Sequence, residues 1–380
     1  MPITSRAGRV ACVSLALLAT ACGAPLRKKE VSVFFPQAPE LPRIQYLTSF
    51  SGLRDVEEQS AFDRFVVGEK PDVKLDKPYG VAVHDGKIYV CDTNATVVVF
   101  DLKGKSFGTL RGAVGPGRLV QPVNIGIDAD GTKYVADPVR GQVVVFDGND
   151  EYLNAFGVPG TWKPVDAAAF EGRLYVADAQ NGVVEVLDAA TGERVATVGD
   201  KGEPAERLSR PTNLALDRDG NLYVSDFGRF QVVEFDREGR FKATFGKLGD
   251  SLGYFARPKG IAIDREGRLY AADASFNNVQ IFNNQGRLLM FFGEGGDAPG
   301  NFLLPAKVVI DYDNIEYFRQ YVLPDFEVEY LVFVTSQFGH RQVSVLAYGK
   351  EKGKSYPADA ELLERIDERR NQEIEKRRKP

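Results

Sequence analysis

The stretch PTNLALDRDGNLYVSDFGRFQVVEFDREGRFKATFG (211–246) contains four short runs rich in β-branched and aromatic residues, divided by turn residues. Alternation with period two, and the Asp-Gly at 219–220 between the first two runs, predict a strand–hairpin–strand unit and not a helical repeat. Its second run recurs as YVCD (89–92), YVAD (134–137), YVAD (175–178) and YAAD (270–273), which spaces the signature Asp residues 45, 41, 48 and 47 positions apart. A Pro-led run precedes each copy: PYGVAVHDG (78–86), PVNIGIDADG (122–131), PVDAAAFEG (164–172) and PKGIAIDREG (258–267). Another apolar run follows each: VVVFD (97–101), VVVFD (143–147), VVEVLD (183–188) and VQIFN (279–283). A sixth, degraded copy reads PAKVVID (305–311), YLVFVTS (330–336) and VSVLAYG (343–349). Six strand-turn-strand units with a period in the forties predict an all-β protein, a six-bladed β-propeller with one four-stranded sheet per repeat.

The first strands carry small residues in one column: Ala82, Gly126, Ala168, Ala215, Ala262 and Val309. Radial sheets converge inward, so only small side chains are expected there. Outer strands read KSFGTLRG (105–112), EYLNAFG (151–157), RFKATFG (240–246) and RLLMFFG (287–293), but none follows the sixth copy. RIQYLTSFSG (43–52), ahead of the first repeat, has that shape and is expected to supply the missing strand and close the ring. The organisation predicted is a leader over 1–21, a spacer over 22–42, the propeller over 43–350 and a charged helical tail over 351–380. In the tail, Leu362, Leu363 and Ile366 form the only apolar stripe. The insertion YDNIEYFRQYVLPDF (312–326) falls on the face opposite the blade-to-blade loops and reads as a short helix, either a docking surface or a plug.

The pieces P-x-G-I-A-I-D, L-Y-V-A-D, V-V-x-F-D and x-x-F-G-x-x-G resemble the NHL repeat over residues 43–349. DASFNNVQIFNNQGRLLMFFGEGGDAPGNFLLP (273–305) with PDFEVEYLVFVTSQFG (324–339) resembles a bacterial branch of six-bladed NHL lipoproteins. The resemblance implies a cell-envelope protein whose partners include multihaem cytochrome complexes. It does not imply one activity, because propellers host lyases, lactonases, sensors and scaffolds.

Composition narrows the function classes. With 43% hydrophobic and 27% charged residues the chain can bury a large core, which excludes wholesale disorder. A net charge of −5 argues against nucleic acid as a partner. Two His, and no C-x-x-C, exclude a zinc ribbon, a dithiol redox pair and a His-rich catalytic metal site. MPITSRAGR, then VACVSLALLATA before Cys22, reads as an export signal too short to span a membrane. Ala19-Thr20-Ala21-Cys22 resembles the bacterial lipobox, making Cys22 the lipidated first residue of the mature chain. Loss of the leader with Arg6 and Arg9 leaves 46 basic residues against 53 acidic, net −7. Gly23 in place of Asp favours the outer membrane.

Residues that recur in every blade belong to the scaffold, so the signature Asp residues are expected to accept backbone N–H bonds at turns. Cys91 reads as a small packed hydrophobe. The singular residues fall on one rim: Arg140, Phe227, Arg229 and Arg341 between second and third strands, with Trp162, Lys163, Arg210 and Arg257 between blades. Asn124, Asp166, Asn213 and Lys307, with Gly80 and Gly260, lie two residues after each blade's Pro, at the channel mouth. A mixture of Arg and aromatic residues suits a protein-binding face, and the same side chains could equally cap loop carbonyls. Two functions follow. One is a non-catalytic protein-binding or scaffold module without cofactor. The other is a metal-dependent lactone hydrolase or lyase-like enzyme using Asp166, Asn124 and Asn213 as cation ligands, although one carboxylate with two amides is a weak set.

Overall fold

The computed structural model describes residues 32–57, 65–66, 68–69 and 71–378, with side chains to 368. The leader and Cys22 lie outside the described residues. The strands form six antiparallel sheets arranged as a closed ring of blades, so the six-bladed β-propeller expected from the repeats is the observed fold. The inner strands of blades 1 to 6 are Pro78–His84, Asn124–Ile127, Pro164–Phe170, Pro211–Leu216, Pro258–Ile263 and Pro305–Asp311. Each neighbours the inner strand of the next blade, and blade 6 returns to blade 1.

Closure is made by Ile44–Phe50, which pairs antiparallel with Val343–Glu351 from Ile44 opposite Tyr348 to Phe50 opposite Val343. Phe34–Phe35, within the expected spacer, adds a short fifth strand beyond it. Its rings sit 5.7 Å from Phe326 and 6.2 Å from Phe292, a packing that repeat comparison does not reveal because no other blade has such a strand.

Six hydrophobic clusters form the core, one in each wedge between adjacent blades. The small column faces these wedges and not the axis: Ala82 packs with Ile125 and Ile127, and Ala168 with Leu214 and Leu216. Gly126 approaches blade 3 so closely that a Cβ would stand 2.3 Å from the Ala167 carbonyl oxygen. The insertion forms a 3-10 helix over Ile315–Tyr321, in the seam between blades 6 and 1. Phe318 is buried there against Phe50 and Phe333, and the Asn314 side-chain oxygen accepts the Gly86 N–H at 2.8 Å. The C-terminal helix (Asp359–Arg378) lays its predicted stripe on the wedge of blades 5 and 6, with Leu363 buried and Leu362 and Ile366 packed beside it.

The five signature Asp residues are buried. Each accepts backbone N–H bonds from the loop entering its blade and from its own strand-two turn. Asp226 takes Ser209 N at 2.7 Å, Arg210 N at 2.9 Å and Gly228 N at 3.0 Å. Asp92, Asp137, Asp178 and Asp273 repeat the pattern. In blade 6, Ser336 replaces the acid and its hydroxyl accepts only Leu303 N, at 3.3 Å. Asp226→Ala strands three N–H groups and is expected to cost about 3 kcal/mol or more, with Asp226→Asn intermediate and Ser336→Ala about 1 kcal/mol, measured by urea denaturation.

Candidate functional site at the channel mouth

The clasps bring the blade-entry loops and the strand-two turns to one face. The four polar residues placed at the mouth by their distance from Pro are found together. Lys307 of blade 6 reaches across the axis to blade 3, with Nζ 2.6 Å from Asp166 Oδ2, and both residues are buried. Asp166 Oδ2 also accepts Leu214 N at 2.9 Å, and Oδ1 accepts Ala167 N at 3.0 Å. Asn124 donates to the Val165 carbonyl at 2.7 Å. Asn213, with its amide oriented to satisfy both ends, donates to the Thr212 and Lys259 carbonyls and accepts from Asn124. Gly80 and Gly260 stand where neighbouring backbones come too near for a side chain; a Cβ would lie 2.6 Å from Asn124 Cα and 2.3 Å from Lys307 Cα.

This donor set does not fit a metal ion. The one carboxylate already holds an ammonium at the axis, and of the amide oxygens only Asn124 Oδ1 lacks a partner. A divalent cation needs six or more oxygens or a compact tetrahedral set, with charge that a lysine beside them opposes. Among the described residues no three His, Cys, Asp or Glu side chains converge elsewhere. Cys91 is buried near the same pair, and burial pushes its thiol well above the ordinary range, so it packs as a hydrophobe.

The rim residues are differently placed. Trp162, expected at the binding rim, is buried in the wedge of blades 2 and 3 and donates its indole N–H to the Gly141 carbonyl at 2.7 Å. Its ring lies over Gly157, where a Cβ would sit 2.1 Å from Trp162 Cζ2. Arg140 bonds the Arg118 and Pro116 carbonyls at 2.6 and 2.9 Å, and Arg229 bonds those of Pro204, at 2.8 Å, and Arg207. Arg341 reaches the Asp297 carbonyl at 3.2 Å and the Tyr46 hydroxyl at 3.4 Å. These three guanidinium groups hold the loops of their own face. Phe227 is half-buried, 5.8 Å from Phe230, with the Arg210 guanidinium 5.6 Å above its ring.

Sequence reasoning did not single out Tyr79 and Lys259, each one residue after its blade's Pro. Lys259 Nζ donates to Tyr79 Oη at 2.9 Å and lies 5.9 Å from the Phe227 ring centre. Burial, with Arg257 and Arg210 nearby, brings its ammonium down from 10.5 to about 8. Burial, then the Asp166 charge, raises the Tyr79 hydroxyl far above its ordinary value. The available signal was the residue before each inner-strand Pro, which is Lys77, Lys163, Arg210 and Arg257 in four of six blades.

No family model matches the chain, and no curated protein does. Solved structures share its fold. A gluconolactonase from Xanthomonas campestris is 14% identical, with 85% of this chain and 99% of that one covered and a TM-score of 0.52. A Bacteroides thetaiotaomicron protein of unknown function is 16% identical, with 80% and 75% covered and a TM-score of 0.56. A streptogramin B lyase is 12% identical, with 72% and 94% covered and a TM-score of 0.51. At such identities the likeness defines the architecture alone: the chain is a six-bladed β-propeller, and its chemistry must be argued from its own residues.

Lys307→Met leaves the Asp166 carboxylate buried without its counter-charge and is expected to cost about 3–5 kcal/mol, while Lys307→Met with Asp166→Asn costs less than the two single changes added, measured as a double-mutant cycle by chemical denaturation. For Lys259, the unfolded chain between pH 8 and 10.5 holds a proton that the folded chain has released. Its contribution therefore opposes folding below pH 8, and stability rises with pH through that window. Denaturation midpoints of wild type and Lys259→Gln across pH 7 to 10.5 should show this rise in wild type only.

Proposed function

We propose that the protein is a non-catalytic binding module of the bacterial cell envelope, lipid-anchored through Cys22, that holds a protein partner on its mouth-side face. The observation that carries this reading is the Lys307–Asp166 pair. It stoppers the axis where a propeller enzyme of the lactone-hydrolase kind would need its cation, so the mouth favours contact over chemistry. Exposed apolar surface supports the choice of face. Eight of the fourteen exposed large hydrophobic residues among the described ones lie on its loops, Leu248, Leu252 and Phe338 included, against four on outer strands. Apolar residues gathered on one face mark interaction surfaces, whereas singly scattered ones do not. The family resemblance makes multihaem cytochrome complexes the first candidates for the partner.

The test compares capture from membrane extracts. Full-length protein and a Leu153→Asp/Phe241→Asp outer-strand variant should recover the same partner. A Leu248→Asp/Leu252→Asp/Phe338→Asp variant should lose it by about tenfold or more, and equal recovery by all three overturns the proposal. Mass analysis should find acylation at Cys22, and Cys22→Ser should release the protein into the soluble fraction.

A further inference from the structure

The mouth carries more unpaired positive charge than its loops require. The side chains of Lys77, Lys163, Arg210 and Arg257 are exposed, and none makes a hydrogen bond or ion pair among the described residues. Each stands directly before an inner-strand Pro, with its backbone N–H on a signature Asp, so the clasp that builds the blade also fixes where these cations emerge. Elsewhere Arg and Lys are commonly paired, as in Arg268 with Asp359, Arg287 with Asp367 and Lys242 with Glu234. The contrast is sharpest at Lys259. It is half-buried, its one hydrogen bond goes to a neutral phenol, and the two charges closest in effect are Arg257 and Arg210. An ammonium placed among like charges without a carboxylate is destabilised until an anion arrives, and burial first, then those charges, lowers its pKa.

We propose that the channel mouth is a carboxylate-binding site, in which Lys259, Arg257 and Arg210 receive an acidic side chain of the protein partner beside the rings of Tyr79 and Phe227. The proposal rests on the mouth-side face being the binding face, as argued above. Arg210 and Lys259 both lie near the Phe227 ring, at 5.6 and 5.9 Å from its centre, and feel each other's charge, so two blades bring their donors to one aromatic residue. Guanidinium forks match carboxylate geometry, and the ammonium supplies donors left over from Tyr79. The floor limits the charge that can enter. Asp166 lies beneath, close enough to raise the Tyr79 hydroxyl, and although it is paired with Lys307 it disfavours a dianion more than a single carboxylate. The exposed apolar loops around the mouth favour a protein as the bearer of that carboxylate over a free acid.

Among the described residues, the groups facing Lys259 are Arg257 on its own strand's approach, Arg210 and Phe227 from blade 4, and Tyr79 from blade 1, whose hydroxyl feels the Asp166 charge. Among these, Lys259 is the group brought to about 8. Its protonated fraction falls from about nine-tenths at pH 7 to about one-tenth at pH 9, so carboxylate binding should weaken by about tenfold over that interval.

The experiment is calorimetric titration of the purified full chain with acetylated hexaglutamate, hexaglutamine and inorganic phosphate at pH 7 and pH 9. Hexaglutamate is expected to bind, more weakly with added salt and about tenfold more weakly at pH 9, while hexaglutamine does not bind. Lys259→Gln should weaken binding at pH 7 and remove the pH step, and Arg257→Gln should weaken binding while moving the step to higher pH. Absence of hexaglutamate binding, an unchanged affinity and pH step in Lys259→Gln, or phosphate binding more tightly than hexaglutamate would each overturn the proposal. Peptide binding that survives in the Leu248/Leu252/Phe338 variant, together with loss of the partner, would leave the carboxylate site standing apart from the apolar docking surface. Partner capture without peptide binding would refute the site and leave the protein-binding reading intact.

Discussion

The structure depends on a buried carboxylate that ties two stretches of backbone together. A blade-entry loop and a strand-two turn both end with inward-facing N–H groups, and neither has a β-partner for them at the ring's edge. One Asp accepts at least three of these donors, as Asp226 does from Ser209, Arg210 and Gly228. A charged acceptor is stronger than a neutral one, and each donor it satisfies would otherwise be stranded in the interior. The clasp sets the point at which the chain turns into each inner strand, and the Pro that follows needs no donor of its own. In this way a bond that serves stability also fixes the directions of the residues before and after that Pro, which are the ones that form the mouth.

Around this frame the packing is periodic while the surface is not. Six wedges repeat one arrangement, with Val, Ile and Phe from adjacent blades meeting over a column of Ala and Gly. The departures are local and each has a partner. Lys133 occupies the place that Leu174 and Leu222 hold in their blades, and its buried ammonium lies 2.8 Å from Asp150 with bonds to the Asp147 and Gly148 carbonyls. Ser336 replaces an Asp in blade 6, where Asn277 takes over the Leu304 N–H at 2.8 Å. A repeat fold tolerates such exchanges when the new group finds its partners in its own blade or the neighbouring one.

The architecture was legible in the sequence because it is written five times over. Strand limits, the ring-closing role of 43–52, the clasp role of the signature Asp residues and the Leu362, Leu363 and Ile366 stripe could all be read from repetition or its gaps. Residues that act once were harder. Asn124, Asp166, Asn213 and Lys307 were found together because they share a register after Pro, but their pairing was not readable: Lys307 and Asp166 are 141 positions apart and meet only across a closed ring. The cationic ring was legible in part: Lys163, Arg210 and Arg257 stood among the singular rim residues, whereas Lys77 and Lys259 did not. Trp162 shows the limit of inferring a role from residue type. Its place in an inter-blade loop suggested contact with a partner, whereas Gly157 leaves room for the indole to turn inward.

The joint at blade 6 has a consequence for how the chain comes to be folded. Arg43, at the edge of the closing strand, donates to the hydroxyl of Tyr348, 305 positions later. The ribosome makes Ile44–Phe50 long before its partner Val343–Glu351. Until that partner is made, a seven-residue ribbon destined for burial has no mate, and the growing row of blades is an open arc with two sticky flanks. Such a chain is best kept from closing on itself until the partner strand is available, so the ring can form only as a late and concerted event.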